Sequence, residues 1–482
     1  MKRRFFCYST LALGIEIFMS TLFPQSLPNN TDGLVFNEHI IKNNFNGPNT
    51  IAAADFDGDN DVDVVATSFD GNYISWFEND GNQIFTEHRL IENFGQPKVD
   101  VAYIDGDLDY DIIATTQTGD KISWFENDGQ ANFVEHLIID NWESAGFVYA
   151  RDQIRGVDLD INDDGFTDFI ATATPNGNKI SWFENDGNQN FTEHLIKENW
   201  YWVRRASAYD IDGDNDMDIV AAAKVGEIIW FENDGEENFT EHIVISNWGE
   251  PNAVLVEDIN KDGYNDLVAT SVVANEVVWF ENNGNQNFTK RIIRDQYNGA
   301  YGLGIADIDD DNDIDVMATA WIGGFGSVFE NDGSQNFTEH IFCSSGYDLL
   351  HLFTIDLDKD EDLDILGACY ATNLPQLRWW ENNSTVDVKE INNLPLDYEL
   401  LQNYPNPFNS TTIIKYTITE LSFVTIKVYD VLGNEVASLV REEKPAGYYE
   451  MEFNASDLAS GSYFCLLSVR KYSETKKMSL LK

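Results

Sequence analysis

The chain has few basic residues and few prolines, and each scarcity excludes a class of protein. Its 482 residues include 83 Asp and Glu against 30 Lys and Arg, which gives a formal charge of −53. So acidic a surface repels the phosphate backbone of nucleic acids and disfavours anionic membranes. With only 11 prolines and 33 glycines, the chain is neither collagen-like nor linker-like. No nucleic-acid partner is therefore expected.

Long apolar runs are also lacking, except at the N-terminus. Basic residues at positions 2–4 precede an apolar stretch from Phe5 to Phe23, which carries Glu16 near its middle. This order predicts a secretory signal peptide over residues 1–28. A transmembrane anchor is the alternative, but a carboxylate in the middle of a span is costly. The mature chain is therefore expected to have no transmembrane span.

Cysteines are too few for a disulfide scaffold. Cys7 lies in the predicted signal peptide, so an odd number remains after its removal. Cys343 and Cys369 fall in one repeat and could pair, although two buried thiols are the simpler expectation. Cys465 lies near the C-terminus.

What the chain does contain is an internal repeat over residues 36–383. A Trp-Phe-Glu-Asn-Asp-Gly phrase recurs at Trp76–Gly81, Trp124–Gly129, Trp182–Gly187, Trp230–Gly235, Trp279–Gly284, Val328–Gly333 and Trp379–Asn383. A Phe-Thr-Glu-His phrase follows each of the first six copies, at Phe85–His88, Phe133–His136, Phe191–His194, Phe239–His242, Phe288–Arg291 and Phe337–His340. Its seventh copy, Phe36–His39, stands at the start of the repeat region.

Each repeat contains about four short strand-like runs separated by turns. Asn-Asp-Gly between two apolar runs is a hairpin signal, and β-branched residues flank the other turns. Four strands per unit of about 50 residues, repeated seven times, predict a seven-bladed β-propeller. The displaced phrase at Phe36–His39 predicts that an N-terminal strand completes the last blade, which removes two exposed sheet edges.

Each repeat also contains an acidic loop with Asp at every second position, here called slots 1, 3, 5, 7 and 9. Blades 1, 4, 6 and 7 are complete, with Asp55, Asp57, Asp59, Asp61 and Asp63; Asp210, Asp212, Asp214, Asp216 and Asp218; Asp307, Asp309, Asp311, Asp313 and Asp315; and Asp356, Asp358, Asp360, Asp362 and Asp364. The others are partial, with Asp105, Asp107, Asp109 and Asp111 in blade 2; Asp160, Asn162, Asp164 and Asp168 in blade 3; and Asp258, Asn260, Asp262 and Asp266 in blade 5.

Carboxylates packed this closely repel one another unless a cation binds among them. A hard divalent cation with oxygen ligands suits the set, and Ca²⁺ fits best outside the cell. The loops are not EF-hands, because Ala66 stands where an EF-hand has its twelfth-position Glu and strands flank the loop. We therefore expect up to seven Ca²⁺ sites, with blade 2 the weakest because Tyr103 occupies its slot 1. A solvated acidic turn is the alternative.

The acidic loops and the Trp-Phe-Glu-Asn-Asp-Gly hairpins resemble the FG-GAP/VCBS-type repeats of integrin-α-like seven-bladed propellers. The resemblance covers residues 34–383. It implies one Ca²⁺ per loop, and adhesion or ligand binding more often than catalysis. It does not identify the ligand.

A separate module is expected at residues 396–482, after a linker at 384–395, because the strong acidity of the chain ends there. Its short apolar runs with glycines between them predict a small β-sandwich. Leu401–Asn409, Val428–Gly433, Ala459–Tyr463 and Lys476–Lys482 resemble the type A C-terminal sorting domain of the type IX secretion system. This resemblance implies export, an encounter with that machinery, and a secreted or outer-membrane-attached product.

Departures from the repeat locate a candidate ligand site. Lys98, Arg155, Arg205 and His351 stand five positions before slot 1 in blades 2, 3, 4 and 7, with Arg151 and Arg204 nearby. The connections into the blades begin with aromatic residues, among them Trp142, Trp200 and, two positions further on, Trp202. Arg binds carboxylates and sulfates, and Trp offers stacking surfaces. An acidic-glycan patch is one interpretation, and ion pairs with neighbouring acids are the other.

Two functions remain open at this stage. The first is a non-catalytic binding or adhesion module. The second is a polysaccharide lyase, in which the Arg patch would neutralise a uronate and His351, Tyr149 or Tyr301 would act as the base. The repeated histidines argue against catalysis at their own positions, because a group needed in six blades is structural. No catalytic residue is assigned.

Overall fold

The computed structural model describes residues 34–481, apart from 153–154, 175, 345–347, 371–374, 384–397, 404, 420–421, 445–446, 457 and 471. The predicted signal peptide (1–28) and the linker (384–395) therefore lie outside the described residues. Every regular element in the described part is a β-strand. No helix there has the length and apolar character needed to cross a bilayer.

Seven four-stranded antiparallel sheets make up the repeat region, one per predicted blade. The innermost strands are β2 (Pro48–Ala54), β6 (Pro97–Ala102), β10 (Ala145–Tyr149), β16 (Val203–Tyr209), β20 (Pro251–Glu257), β24 (Ala300–Ala306) and β28 (Leu349–Ile355). The second strands are β3 (Asp63–Ser68), β7 (Asp111–Thr116), β13 (Phe169–Ala173), β17 (Asp218–Ala223), β21 (Asp266–Ser271), β25 (Asp315–Ala320) and β29 (Asp364–Cys369).

The third strands carry the Trp-Phe-Glu-Asn phrase. They are β4 (Tyr73–Asn79), β8 (Lys121–Asn127), β14 (Lys179–Asn185), β18 (Glu227–Asn233), β22 (Glu276–Asn282), β26 (Phe325–Asn331) and β30 (Gln376–Asn382). The outer strands of blades 1 to 6 are β5 (Phe85–Ile91), β9 (Phe133–Asp140), β15 (Phe191–Glu198), β19 (Phe239–Ile245), β23 (Phe288–Arg294) and β27 (Phe337–Cys343).

The N-terminal strand β1 (Phe36–Asn43) completes the seventh blade, as the displaced phrase predicts. It pairs antiparallel with β30, with Phe36 opposite Asn382 and His39 opposite Trp379. The innermost strands of successive blades contact one another from β2 to β28, and β28 contacts β2. The ring of seven blades is therefore closed.

Burial follows strand position within a blade. The second strands are buried along their whole length, which explains their Val, Ile and Ala content, whereas the outer strands alternate in exposure. Hydrophobic clusters bridge neighbouring blades: one joins Trp182 of blade 3 to Ile219 of blade 4. Cys343 and Cys369 lie in one such cluster as buried thiols, and no disulfide joins them.

Blade 3 carries an extra hairpin made of β11 (Arg151–Asp152) and β12 (Val157–Asp158). It lies between the innermost strand β10 and the acidic loop. The long separation of 57 residues between Asp111 and Asp168 therefore arises here. The connection leading into blade 3, from Asp140 to Ala145, does not account for that separation.

The C-terminal module forms two further sheets around its own hydrophobic cluster, which includes Leu400, Val424 and Leu467. One sheet contains β31 (Glu399–Leu400), β32 (Thr411–Ile418) and β35 (Gly447–Asn454). The other contains β33 (Ser422–Tyr429), β34 (Glu435–Lys444), β36 (Gly461–Val469) and β37 (Tyr472–Leu480). Two sheets sharing one core confirm the predicted β-sandwich.

Candidate metal loops and ligand-binding face

The acidic loops and the Asn-Asp-Gly turns lie on the same face of the ring. Each acidic loop joins the first and second strands of a blade, and each Asn-Asp-Gly turn joins the third and fourth. In an antiparallel sheet these two connections emerge at the same end. The connections between blades, and the turns joining second and third strands, emerge on the opposite face.

The slot 9 aspartate of each loop is fully buried and fixes the loop to its blade. In blade 1, Asp63 Oδ2 accepts the Phe56 amide at 3.1 Å and Asp63 Oδ1 accepts the Asn79 amide at 2.8 Å. The same two bonds recur at Asp111, Asp168, Asp218, Asp266, Asp315 and Asp364. The slot 9 position is therefore a structural tie as well as a candidate ligand.

Burial raises the pKa of these carboxyls. The pKa reaches about 7 at Asp63 and about 8 at Asp111 and Asp315, because desolvation outweighs the two amide hydrogen bonds that favour the charged form. A divalent cation nearby would hold the same groups ionised.

Carboxylates at the other slots bind amides of their own loop and lie close to one another. Asp55 accepts the amides of Gly58 (2.8 Å) and Asn60 (2.9 Å) within its own loop. Four groups of carboxylates have oxygens within 4.8 Å of one another: Asp55, Asp57 and Asp63; Asp210, Asp212 and Asp218; Asp307, Asp309 and Asp311; and Asp356, Asp358 and Asp360. These four groups could hold a metal ion. Their donors are all carboxylate oxygens, which fits a hard cation such as Ca²⁺.

Blades 2, 3 and 5 are different. Among the described residues, none of the three has such a group of carboxylates. In blade 2, Tyr103 takes slot 1 and stacks on Tyr110 with 4.1 Å between ring centroids. In blades 3 and 5 the amides Asn162 and Asn260 take slot 3. The count of seven metal ions stays a prediction.

The repeated histidines take part in blade packing. His88 stacks on Trp76 with 4.4 Å between centroids, and its Nε2 lies 2.7 Å from Glu78 Oε2. The pairing with a glutamate recurs at His39, His136, His194, His242 and His340. In blade 5, Arg291 replaces the histidine and pairs with Glu281.

The basic residues that stand five positions before slot 1 come together only in part. Strand register places Lys98, Arg205 and His351 at equivalent positions, one residue before the partners of Ala114, Ala221 and Gly367. All three are buried near the ring axis, so they do not form an open patch. In blade 3 this position belongs to Phe147, because the register pairs Val148 with Ala171. The Phe147 ring lies 5.3 Å from Lys98 Nζ and 5.6 Å from Arg205 Cζ.

Arg155 was expected beside Arg205, and this expectation is wrong. Arg155 belongs to the extra hairpin of blade 3, which carries it to the acidic-loop end of the axis. There its Nη2 donates to Glu257 Oε2 at 2.7 Å, and its guanidinium lies 3.7 Å from the centre of the Tyr209 ring. Arg151 of the same hairpin lies 3.9 Å from Asp158. For these two residues the alternative interpretation, ion pairing with acids, is the one observed.

Trp142 and Trp200 cannot stack on a ligand. Both are about 2% exposed, inside clusters that join neighbouring blades. Their indole N–H groups donate to Glu193 and Glu227. The equivalent aromatic residues Phe45, Phe94, Trp248 and Tyr297 are buried as well. This position is therefore a packing position in the repeat.

Trp202 and Arg204 do lie together, in a groove on the face opposite the acidic loops. The groove spans blades 4 to 7, has a volume of about 290 Å³ open to water, and is lined chiefly by Trp202, Arg204, Lys224, Tyr301, Trp321 and Tyr370. We call it the aromatic groove. Sequence reasoning missed Trp321 and Tyr370, which lie in turns between second and third strands.

Arg204 is held in place at the centre of this groove. Its Nη1 donates to Asn252 Oδ1 at 3.0 Å and to the Tyr301 hydroxyl at 3.1 Å. Lys224 lies 4.4 Å from the centre of the Trp202 ring and pairs with Glu250 at 3.2 Å. Trp321 is 39% exposed, with its ring 5.7 Å from that of Tyr301. The groove therefore combines flat aromatic surfaces with a fixed guanidinium.

Comparisons with known proteins identify two kinds of domain in the chain. Residues 402–480 match the secretion system C-terminal sorting domain family. Residues 160–221, 210–269 and 258–318 each match the FG-GAP-like repeat family. The chain therefore contains FG-GAP-like repeats and a type IX sorting domain. The sorting domain indicates a secreted or outer-membrane-attached protein that interacts with the type IX secretion machinery.

No curated protein matches this chain. Among solved structures, it is similar to a chain in the crystal structure of BBS1N in complex with ARL6DN, soaked with lead, at a TM-score of 0.48 and 11% identity. That similarity covers 72% of this chain and 97% of the other.

Proposed function

We propose that the chain is a calcium-stabilised propeller, delivered to the cell exterior, that binds acidic glycans without catalysing a reaction. The aromatic groove is the observation that carries this proposal. Sugar rings stack on exposed Trp and Tyr faces, and a fixed guanidinium takes a carboxylate or sulfate by paired hydrogen bonds. In a chain of charge −53, this groove is a local site for an anion because it contains Arg204, which forms no ion pair among the described residues, whereas Lys224 is paired with Glu250.

Calcium has a separate role in this proposal. The carboxylate groups lie on the face opposite the groove, so metal ions held there would stabilise the loops without touching the glycan. Closely spaced carboxylates repel one another, and the seven slot 9 aspartates are buried in every blade. Ca²⁺ would relieve both costs.

Two of the bases considered for a lyase are unsuited to a polymer. His351 is 5% exposed, and Tyr149 lines a small cavity at the ring axis. Tyr301 does reach the groove, where it accepts a hydrogen bond from Arg204. A binding function therefore has the better support.

Binding of the purified protein to uronate and sulfated polysaccharides tests the proposal. The wild type should bind in the presence of calcium, and Arg204→Gln should weaken binding at least about tenfold, or 1.4 kcal/mol. Arg155→Gln is the matched control, because Arg155 lies at the other end of the axis and should leave binding unchanged. Absence of binding, or an unaffected Arg204→Gln variant, would contradict the proposal. Release of ultraviolet-absorbing unsaturated uronate would instead indicate a lyase.

A further inference from the structure

A small, partly open cavity lies at the ring axis, among the innermost strands of blades 3 to 7. Its volume open to water is about 30 Å³, enough for one or two water molecules or one small ion. Its lining combines polar groups of Tyr149, Arg151, Arg205 and His351 with apolar residues such as Leu255 and Leu303. We call it the axial cavity. It is separate from the aromatic groove, and neither Arg204 nor Trp202 lines it.

Four polar atoms that line the axial cavity have no hydrogen-bond partner within the described part of the chain. They are Tyr149 Oη, Arg151 Nε, Arg205 Nε and His351 Nδ1. The Ala206 amide lies near Tyr149 Oη without meeting hydrogen-bond geometry, and it would in any case leave the hydroxyl hydrogen free to donate.

These atoms are predominantly donors. An arginine Nε–H and a tyrosine O–H donate, whereas a histidine Nδ1 donates or accepts according to its tautomer. Leaving buried donors unmatched costs about 1–3 kcal/mol each. What Arg205 Nε and the Tyr149 hydroxyl lack is therefore an acceptor.

The charged groups around the cavity also favour binding of an acceptor. Arg205 and His351 are at least nine-tenths buried, as is Lys98 on the same ring level. None of the ion pairs between described residues includes any of these three. Desolvation and the neighbouring cations lower the pKa of Lys98 to about 7 and that of His351 well below its ordinary value. The lowered pKa values favour the neutral forms of Lys98 and His351, so Arg205 is the group that stays charged, and burying its charge without a counter-ion is costly.

Two carboxylates lie near the cluster. Asp158 is 3.9 Å from Arg151 Nε, and Asp100 Oδ2 accepts the Ala150 amide at 2.9 Å. Neither forms an ion pair with Arg205 or His351. The positive charge that remains is therefore concentrated at Arg205, where Nη2 donates only to the Leu350 carbonyl.

We propose that the axial cavity binds one small monovalent anion of the size of chloride, held by Arg205 Nε, Arg151 Nε and the Tyr149 hydroxyl. A spherical anion accepts from several donors without strict geometry. The small volume excludes a sugar acid, so this site is distinct from the proposed glycan site. The anion would act as an internal counter-ion that stabilises the hub of the ring.

Bromide provides a direct test, because it replaces chloride and can be located by anomalous scattering. A crystal of the protein grown in bromide should show an anomalous peak within the axial cavity. The melting temperature should also rise with chloride concentration at constant ionic strength, against isethionate, which is too large for the cavity. The measurements are made at saturating calcium, so that metal occupancy of the acidic loops does not change.

Two neighbouring arginines on β16 supply the matched variants. Arg205→Gln should abolish the chloride-dependent shift in melting temperature. Arg204→Gln should keep the shift, because Arg204 does not line the cavity, even though it should weaken glycan binding. Absence of a bromide peak, or an equal chloride shift in Arg205→Gln, would overturn the proposal. If Arg205→Gln does not fold, the bromide experiment on the wild type still tests the proposal. Neither the bromide peak nor the chloride-dependent melting shift depends on glycan binding.

Discussion

Lys359 of the seventh acidic loop pairs with Asp61 of the first, with 2.7 Å between Lys359 Nζ and Asp61 Oδ1. Lys261 of blade 5 reaches Asp313 of blade 6 in the same way, at 2.6 Å. In both pairs a lysine from one loop neutralises the slot 7 aspartate of the next. The lysines are half exposed, so each pair adds little stability in water. They show that neighbouring loops share one electrostatic surface, on which cations from solvent and side chains compete.

Substituting a single loop carboxylate should weaken calcium binding in a position-dependent way. Asp309 belongs to the carboxylate group of blade 6, whereas the next residue, Asp310, does not. Asp309→Asn should reduce calcium affinity at that site by about tenfold, or 1.4 kcal/mol. Asp310→Asn is the control, because Asp310 has φ of 59°, a conformation that Asn adopts readily. Calorimetric titration measures both, and equal losses would contradict the assignment of slots.

Without metal, the protein should lose stability as pH rises from about 4 to 8. The pKa of Asp218 is raised from 3.8 to about 7 by burial, and that of Asp315 to about 8. Between pH 3.8, the ordinary pKa, and the raised pKa values, the folded chain binds more protons than the unfolded chain. The stabilisation present in acid is therefore lost as the pH rises through that range. Calcium should reduce the dependence, because it favours the ionised carboxylates.

Thermal melting at pH 5 and pH 8 after removal of metal measures this dependence. High salt is the control, since it screens repulsion between surface charges but acts much less on buried groups. A metal-free protein that melts at the same temperature at both pH values, or higher at pH 8, would show that the slot 9 aspartates are ionised without metal.

The asparagine of the Trp-Phe-Glu-Asn phrase should be sensitive to loss of its amide group. Asn185 Nδ2 donates to the Ile104 carbonyl of the preceding blade at 2.8 Å and to the Thr167 carbonyl at 3.2 Å. Asn185→Asp would place a buried carboxylate against two carbonyls and should cost about 2–3 kcal/mol of unfolding free energy. Asn188→Asp, in the exposed turn that follows, should cost much less. Denaturant unfolding compares the two.

The closing strand should matter more to the ring than the sorting module does. A chain limited to residues 34–383 should keep the melting transition of the propeller, because the module has its own hydrophobic cluster. Removing Phe36–Asn43 as well should lower the melting temperature strongly, since β30 then keeps only β29 as a partner strand and Trp379 loses its stacking with His39. Similar transitions for the two shortened chains would contradict the role given to β1.

The repeat made the fold predictable, because seven copies of a phrase determine the blade count and the displaced copy at Phe36–His39 determines the closure. The acidic loops were predictable for the same reason, since the spacing of their aspartates is regular. The buried role of Trp142 and Trp200 could also have been predicted from the sequence. Aromatic residues recur at the same repeat position in Phe45, Phe94, Trp248 and Tyr297, and such recurrence indicates packing.

The ligand-binding face was less predictable, because it consists of departures from the repeat. The separation between Asp111 and Asp168 reveals an insertion but not its place, so Arg155 was grouped with Arg205 although it lies at the acidic-loop end of the axis. Trp321 and Tyr370 line the same groove as Trp202 only because the ring brings blades 4, 6 and 7 around one groove. The buried state of Lys98, Arg205 and His351 depends on how closely seven strands approach the axis, which spacing along the chain does not specify.

The closure of the ring also limits when the chain can complete its fold during synthesis. The strand β1 is made first, and its partner β30 is made last among the strands of the propeller. A chain that emerges N-terminus first therefore carries an unpaired strand until more than 300 further residues have followed (β30 begins at Gln376). Contacts between positions so far apart form slowly, and an unpaired edge invites wrong partners. Completion of the seventh blade is therefore expected to be the late step in maturation, the one most dependent on conditions where the chain folds.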